Sequence, residues 1–264
     1  MDSARIKTFL ILLLLTVNVV FLSLLAVDRF QAVQFERQER AELVLALARM
    51  GVVIEQGVIP ANGVQATYFL SRDVADERLF LETFLGVPLS ERHQGGGLYQ
   101  WEGLYGFGET RLGSFSMTLT DSAYELSDTG LLLGRMGFSG ERTDSSLREV
   151  TYRLSLDGLF VIGGYVTFRF AEARLEAISG TALWGGRQRI ETGVQLSVTT
   201  ALVTLAGYVQ GQAITRFTTV TMGYYLLEAP GLLELRPAWV IQTDDGAFVV
   251  DRLSGEIRHE PKGG

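Results

Sequence analysis

The sequence predicts an α+β protein: one N-terminal transmembrane helix, then an extracytoplasmic region of two lobes, each an antiparallel sheet with a helix. Three observations predict it. Thr8 to Val27 is an uncharged run of 20 residues, nearly all Leu, Val, Ile and Phe, the length that crosses a ~30 Å hydrocarbon core as a helix. Beyond residue 50, alternating strand-like runs and helix-like periodicity take turns along the chain. Asn62-Gly63, Asp157-Gly158 and Asp244-Asp245-Gly246 supply turn signals between the apolar runs.

The first element is read as a retained anchor. A cleaved signal has an apolar region of only ~7–15 residues and small residues flanking the cut. Ala26 fits one such position, but Leu24 occupies the other. The chain has no Cys, so lipoprotein-type cleavage is excluded. Arg5 and Lys7 precede the run, while Asp28 and Arg29 follow it and cancel. The positive-inside rule then places residues 1–7 in the cytoplasm as a stub, 8–27 in the cell membrane, and the remainder outside or in a lumen.

Within the span the informative residue is Asn18. An amide near mid-membrane needs a hydrogen-bond partner, and interhelical amide bonds of ~0.6–2 kcal/mol favour helix association. Thr16 and Ser23 are weaker candidates for partner contact, because a hydroxyl can bond its own helix backbone. Tolerance of one amide in an otherwise very apolar span is the competing account.

Composition bounds the outer part. Without Cys it is stabilised by packing alone. The first 28 residues are neutral, so the formal charge of −7 belongs to the rest. An acidic surface argues against nucleic acid as a partner. Lys occurs only at positions 7 and 262, with Arg elsewhere.

The remaining elements follow in order. Residues 28–50 lack Pro and Gly, and Phe30, Val33, Val44 and Leu47 recur at helical spacing; this reads as a juxtamembrane amphipathic helix ended by Gly51. Residues 51–120 form the expected first lobe. VVIEQGVIP reads as a strand closed by Pro60, paired across Asn62-Gly63 with VQATYFL. Asp73 to Leu85 is helical in pattern, and the Gly- and aromatic-rich stretch from 95 to 120 alternates as short antiparallel strands do. Residues 121–258 form the expected second lobe. Asp121 to Arg135 reads as a helix with an Asp or Ser cap, followed by strands EVTYRLSL, GLFVIGG, YVTFRF and RLEAISGTAL. Gln195 to Val209 is spaced for a helix, ITRFTTVTMGYYLLE for a long strand, and 233–257 for a hairpin. Residues 259–264 read as a disordered tail.

A faint repeat accompanies this order. GETRLGSFSMTL (108–119) resembles AEARLEAISGTAL (171–183), and Gly97-Leu98-Tyr99 parallels Gly158-Leu159-Phe160, at spacings of 63 and 61 residues. A structural duplication and chance similarity of short hairpins both account for it.

Catalytic chemistry is sparse, and no cofactor is called for. His93 lies in the polar loop SERHQGGG and His259 in the tail, neither with a metal-ligand partner at helical or turn spacing. No G-x-S-x-G, HExxH, S-x-x-K or P-loop is present. Gly106-x-Gly108 lies between strands with no helix opening after it, and Asp244-Asp245-Gly246 lacks further oxygen ligands. Glu36, Glu39 and Glu42 alternate with Arg on a helix surface, a solvated face. Trp101, Trp184 and Trp239 read as packing residues.

Two ends of the chain carry a resemblance. Met1-Asp2, Arg5-Ile6-Lys7, Asn18 and Phe21-Leu22 resemble the opening of the YycI family of Gram-positive membrane regulators, with Ser3 in place of the usual Trp. Pro237-Ala238-Trp239-Val240, Gly246, Phe248-Val249-Val250-Asp251 and Ser254-Gly255-Glu256-Ile257 resemble the closing hairpin of PepSY-like domains, with Phe248 for Tyr and Ser254 for Thr. Residues 50–150 carry no match. The resemblance implies a YycH/YycI/PepSY-like second lobe and a regulatory role. YycI-type proteins, with the related YycH, act on the sensor histidine kinase YycG, also called WalK, which controls cell-wall metabolism. The expected protein is therefore a non-enzyme whose partners are the membrane, a YycG/WalK-type kinase and a YycH-like protein. The rival expectations are a membrane-tethered module that binds peptide or wall fragments near 95–118, and a hydrolase using His93.

Overall fold

The computed structural model describes residues 37–261 apart from 64, 121, 123, 147, 184, 192 and 230, together with Leu14, Val17, Asn18 and Phe21. The fold is α+β. Fifteen described strands form one curled sheet, with helices packed along it. The helices are α1 (residues 37–49), α2 (Val74–Leu85), α3 (Thr129–Arg135) and α4 (Val198–Tyr208).

The largest part of the sheet is two consecutive meanders. α2 is followed by β3 (Ser90–Gly95), β4 (Leu98–Gly103), β5 (Gly106–Arg111) and β6 (Ser114–Leu119); α3 is followed by β7 (Ser139–Ser145), β8 (Glu149–Leu156), β9 (Leu159–Ala171) and β10 (Arg174–Thr181). Each strand pairs antiparallel with the next, and β6 pairs antiparallel with β10 to join the two sets. The order helix plus four strands therefore occurs twice. The second set trails the first by 50 residues at the helix end (Leu85, Arg135), 53 at the start of the third strand (Gly106, Leu159) and 60 at its end (Arg111, Ala171). β9 has 13 residues against 6 in β5, which accounts for the last step. The sequence match of 108–119 with 171–183 falls on equivalent hairpins. The match of Gly97–Tyr99 with Gly158–Phe160 sets the β3–β4 turn against the β8–β9 turn, one strand out of step.

Both sets share one core. Phe80, Leu81, Phe84 and Leu85 of α2 and Leu132 and Leu133 of α3 pack with Trp101, Phe115, Met117, Leu154, Phe168 and Ile178. Alternation explains the choice: along β6 the burial reads exposed, buried, exposed, buried, so Phe115, Met117 and Leu119 share the inner face. A second core lies between α1, α4 and the C-terminal strands β12 (Arg216–Ala229), β13 (Leu232–Thr243) and β14 (Gly246–Asp251). β12 and β13 run past both cores, and over 223–225 β12 pairs in parallel with 160–162, the part of β9 that extends beyond β10.

Several local expectations are corrected. Asn62-Gly63 does not close a hairpin. β1 (Val53–Ile54) pairs in parallel with β12, and β2 (Thr67–Ser71) pairs with β13 and with β11 (Gly186–Ile190). The Asn62 amide oxygen instead accepts from the Val198 N–H at the start of α4, 2.7 Å away, so a long-range contact takes the turn signal's place. The strand expected to run to Pro60 ends at Ile54, where a 3₁₀ turn, Gln56–Val58, begins. The helix expected from Asp121 begins only at Thr129, after the 3₁₀ turn Leu126–Asp128. GLFVIGG and YVTFRF are one strand, β9, bent where Gly163 adopts φ +74°. His93 sits in β3 rather than a loop. Residues 257–261 form β15 (Ile257–Pro261), paired with β14, where a disordered tail was expected after 258; the short strand is invisible to composition because its apolar content is low. Asp73 caps α2, and Ser197 caps α4, which starts at Val198 rather than near Gln195.

Candidate functional site

Of the residues singled out for partner contact, Asn18 is described; Thr16 and Ser23, like the topology residues Arg5 and Lys7, lie outside the described residues, as does most of the expected span 8–27. Among the described residues no helix is long and apolar enough to cross a membrane. Leu14, Val17, Asn18 and Phe21 are each helical and exposed, Leu14 and Phe21 at 62 %. Asn18 is exposed with respect to the rest of the described chain.

α1 is the element that follows. Leu43 and Leu47 are buried in the second core beside Leu202 and Leu205 of α4. Leu45, between them, is exposed, and Glu39 and Glu42 face solvent. The end of α1 is tied down. The Val53 N–H donates to the Thr215 carbonyl at 2.8 Å, and the Met50 side chain lies against Gly207 of α4.

The crossover from the second core to the first, residues 60–66, is clamped. Besides the Asn62 contact, the Arg252 guanidinium donates to the Gly63 carbonyl, and Gln65 and Gln195 bond each other. Arg252 also lies over the Trp239 ring at 4.7 Å. It is 3 % exposed, and burial pulls its pKa below the usual value. Trp239 Nε1 donates to the Leu196 carbonyl at 3.0 Å, so one aromatic joins β13, β14 and the approach to α4.

Two buried polar networks brace the sheet. Glu77 of α2 accepts from Arg72 at 2.7 and 2.8 Å and from the Thr110 hydroxyl at 2.8 Å, and Thr110 in turn accepts from Trp101 Nε1. On the other face of the C-terminal strands, Asp251 accepts from Tyr225 at 2.5 Å, Arg236 at 3.2 Å and the Leu253 N–H at 2.7 Å. Burial pushes the Asp251 carboxyl up, but the Tyr225 hydroxyl and the Leu253 and Ser254 donors outweigh it and hold it below the usual range. Burial, then the Asp251 carboxylate, pushes Tyr225 up.

The two histidines lie far apart in the chain, and the His259 Nε2 is 3.9 Å from the Asp245 carboxylate. His93 is exposed and tilts against Tyr99 at 4.7 Å, and His259 stacks on Phe248 at 4.4 Å. Among the described residues no group of three or more His, Cys, Asp or Glu side chains is placed to hold a metal. Gly106 and Gly108 belong to β5, and a side chain on Gly106 would clash with the Thr118 carbonyl oxygen. Asp244 and Asp245 form the β13–β14 turn. Trp101 and Trp239 are fully buried, and Trp184 lies outside the described residues.

Sequence reasoning missed Leu43, Arg252 and the crossover clamp. Leu43 stands one helical turn before Leu47 and was legible from spacing. Arg252 had no local signal, since its partners are 189 residues away at Gly63 and 30 at Met222. Comparison of the sequence with protein-family models and with curated proteins gives no match.

Proposed function

We propose that this chain is a membrane-anchored, non-enzymatic regulator of a YycG/WalK-type sensor histidine kinase that controls cell-wall metabolism, working with a YycH-like protein. In this reading residues 8–27 span the cell membrane with the N-terminus cytoplasmic, and the outer region acts from the extracytoplasmic side. Its C-terminal strands with α4 are the PepSY-like part. The likeness of the two chain ends to YycI-type and PepSY-like sequences supports the family, and the amide of Asn18 within the uncharged run Thr8–Val27 is the observation that carries the mechanism. A regulator without an active site needs only unequal contact energies with two kinase states. α1, fastened by Leu43 and Leu47, carries the bias between span and outer region.

The test is Asn18→Leu in the full-length chain. An interhelical amide bond is worth ~0.6–2 kcal/mol, so co-purification of the kinase falls roughly 3- to 30-fold while membrane insertion is unchanged. Unaltered association together with unaltered kinase output would remove Asn18 from the mechanism.

A further inference from the structure

The duplicated meanders allow one copy to be read against the other. In the second copy, Phe160 is directly opposite Ser155, and the guanidinium of Arg153, two residues before Ser155, lies over the Phe160 ring at 5.4 Å. In the first copy, Phe107 occupies the place of Phe160, second in the third strand, and is directly opposite Glu102. Two residues before Glu102 stands Gln100. The cation of the second copy is thus a neutral amide in the first, and that amide is turned to Glu109, donating to its carboxylate at 2.7 Å. The Phe107 ring is left 55 % exposed in mid-sheet.

The surroundings match the missing group. A groove of about 350 Å³ runs beside Phe107, lined also by Ser90, Arg92, Gln100, Glu102 and Glu109. Glu102 and Phe107 share a face, as do Gln100 and Glu109, because directly opposed residues do. A ring face and carboxylates on neighbouring strands form a seat for a guanidinium or ammonium, through ring quadrupole and charge. The groove opens along β3, whose six residues are all exposed, which leaves room for an extended segment rather than a lone ion.

We propose that the groove on β3–β5 docks an arginine- or lysine-bearing extended segment of a protein partner, the basic side chain taking over Phe107 the place that Arg153 fills over Phe160. The site is separate from the membrane span above and does not depend on the kinase assignment.

The probe is a fluorescein-labelled heptapeptide of alternating Arg and Ser, titrated by anisotropy into the full-length protein in zwitterionic nanodiscs. The all-Glu counterpart and a neutral β-1,4-linked glucose tetrasaccharide serve as competitors. The Arg peptide binds and neither competitor displaces it. Phe107→Ala weakens binding about 5-fold with the thermal midpoint unchanged, since the ring is exposed. Gln100→Arg, which restores the internal cation, weakens it about 10-fold or more. Equal binding of Arg and Glu peptides, displacement by the sugar, absence of binding, or indifference to both substitutions overturns the proposal.

Discussion

Leu47→Ala tests whether α1 is truly held by the second core. Leu47 is fully buried, with Leu43 and the α4 residues Leu202 and Leu205 in the same cluster. Truncation removes about three methylene equivalents at ~0.8 kcal/mol each, and the cavity left in a core already filled by Trp239 and Phe248 adds to this. A loss of about 3 kcal/mol follows, within the ~2–5 kcal/mol seen for buried Leu→Ala changes. Leu45→Ala is the control: Leu45 is 61 % exposed, and its change stays within about 0.5 kcal/mol. Urea unfolding measures both. Because the meanders have a separate core, hydrogen exchange under native conditions rises first in 37–50 and 198–209, while the strands around Phe168 and Ile178 keep their protection. Equal small effects of the two substitutions, or uniform loss of protection, would refute the docking of α1 through this face.

Two further outcomes follow from the buried networks. Glu77→Gln leaves the Arg72 guanidinium, 15 % exposed, without its carboxylate, and the expected loss is about 3 kcal/mol by chemical denaturation; Thr110→Val, which removes one acceptor and one donor at the same site, costs less. Asp251 sets an acid limit. Its folded pKa is depressed, so its contribution to stability is complete above the unfolded value of ~3.9 and is lost as pH falls through the lower folded value. Tyr225→Phe removes the strongest of the donors that lower it and shrinks this acid-dependent part in a pH series of urea midpoints.

The fold was legible where the signal is local. Asp73 announces the start of α2 because a cap acts within three residues, whereas α4, expected from Gln195, starts at Val198 behind the Ser197 cap. Asp157-Gly158 announces the β8–β9 turn because both residues take positive φ, 52° and 78°. Asn62-Gly63 carries the same kind of signal and fails, since a donor 136 residues away engages the Asn62 side chain. Pairing partners were likewise hidden. Nothing near β1 or β2 in sequence points to β12 and β13, and β15 gains its order from β14 rather than from its own residues. The repeated order of one helix and four strands was only half visible, because β9 is seven residues longer than β5. At the candidate sites, Asn18 stood out because an amide is costly in an apolar run. Phe107 did not, because its meaning depends on a comparison with Phe160 that only the strand registers supply.

The central claim is that the span brings this chain to a sensor kinase. Its most direct test is gentle purification of the full-length protein from its native membrane, with mass spectrometry of what accompanies it, alongside a chain whose residues 8–27 are replaced by an unrelated span. The account predicts a sensor histidine kinase enriched with the native span and lost with the replacement. Capture of no kinase, or of the same partners by both chains, contradicts it and leaves the span as a tether.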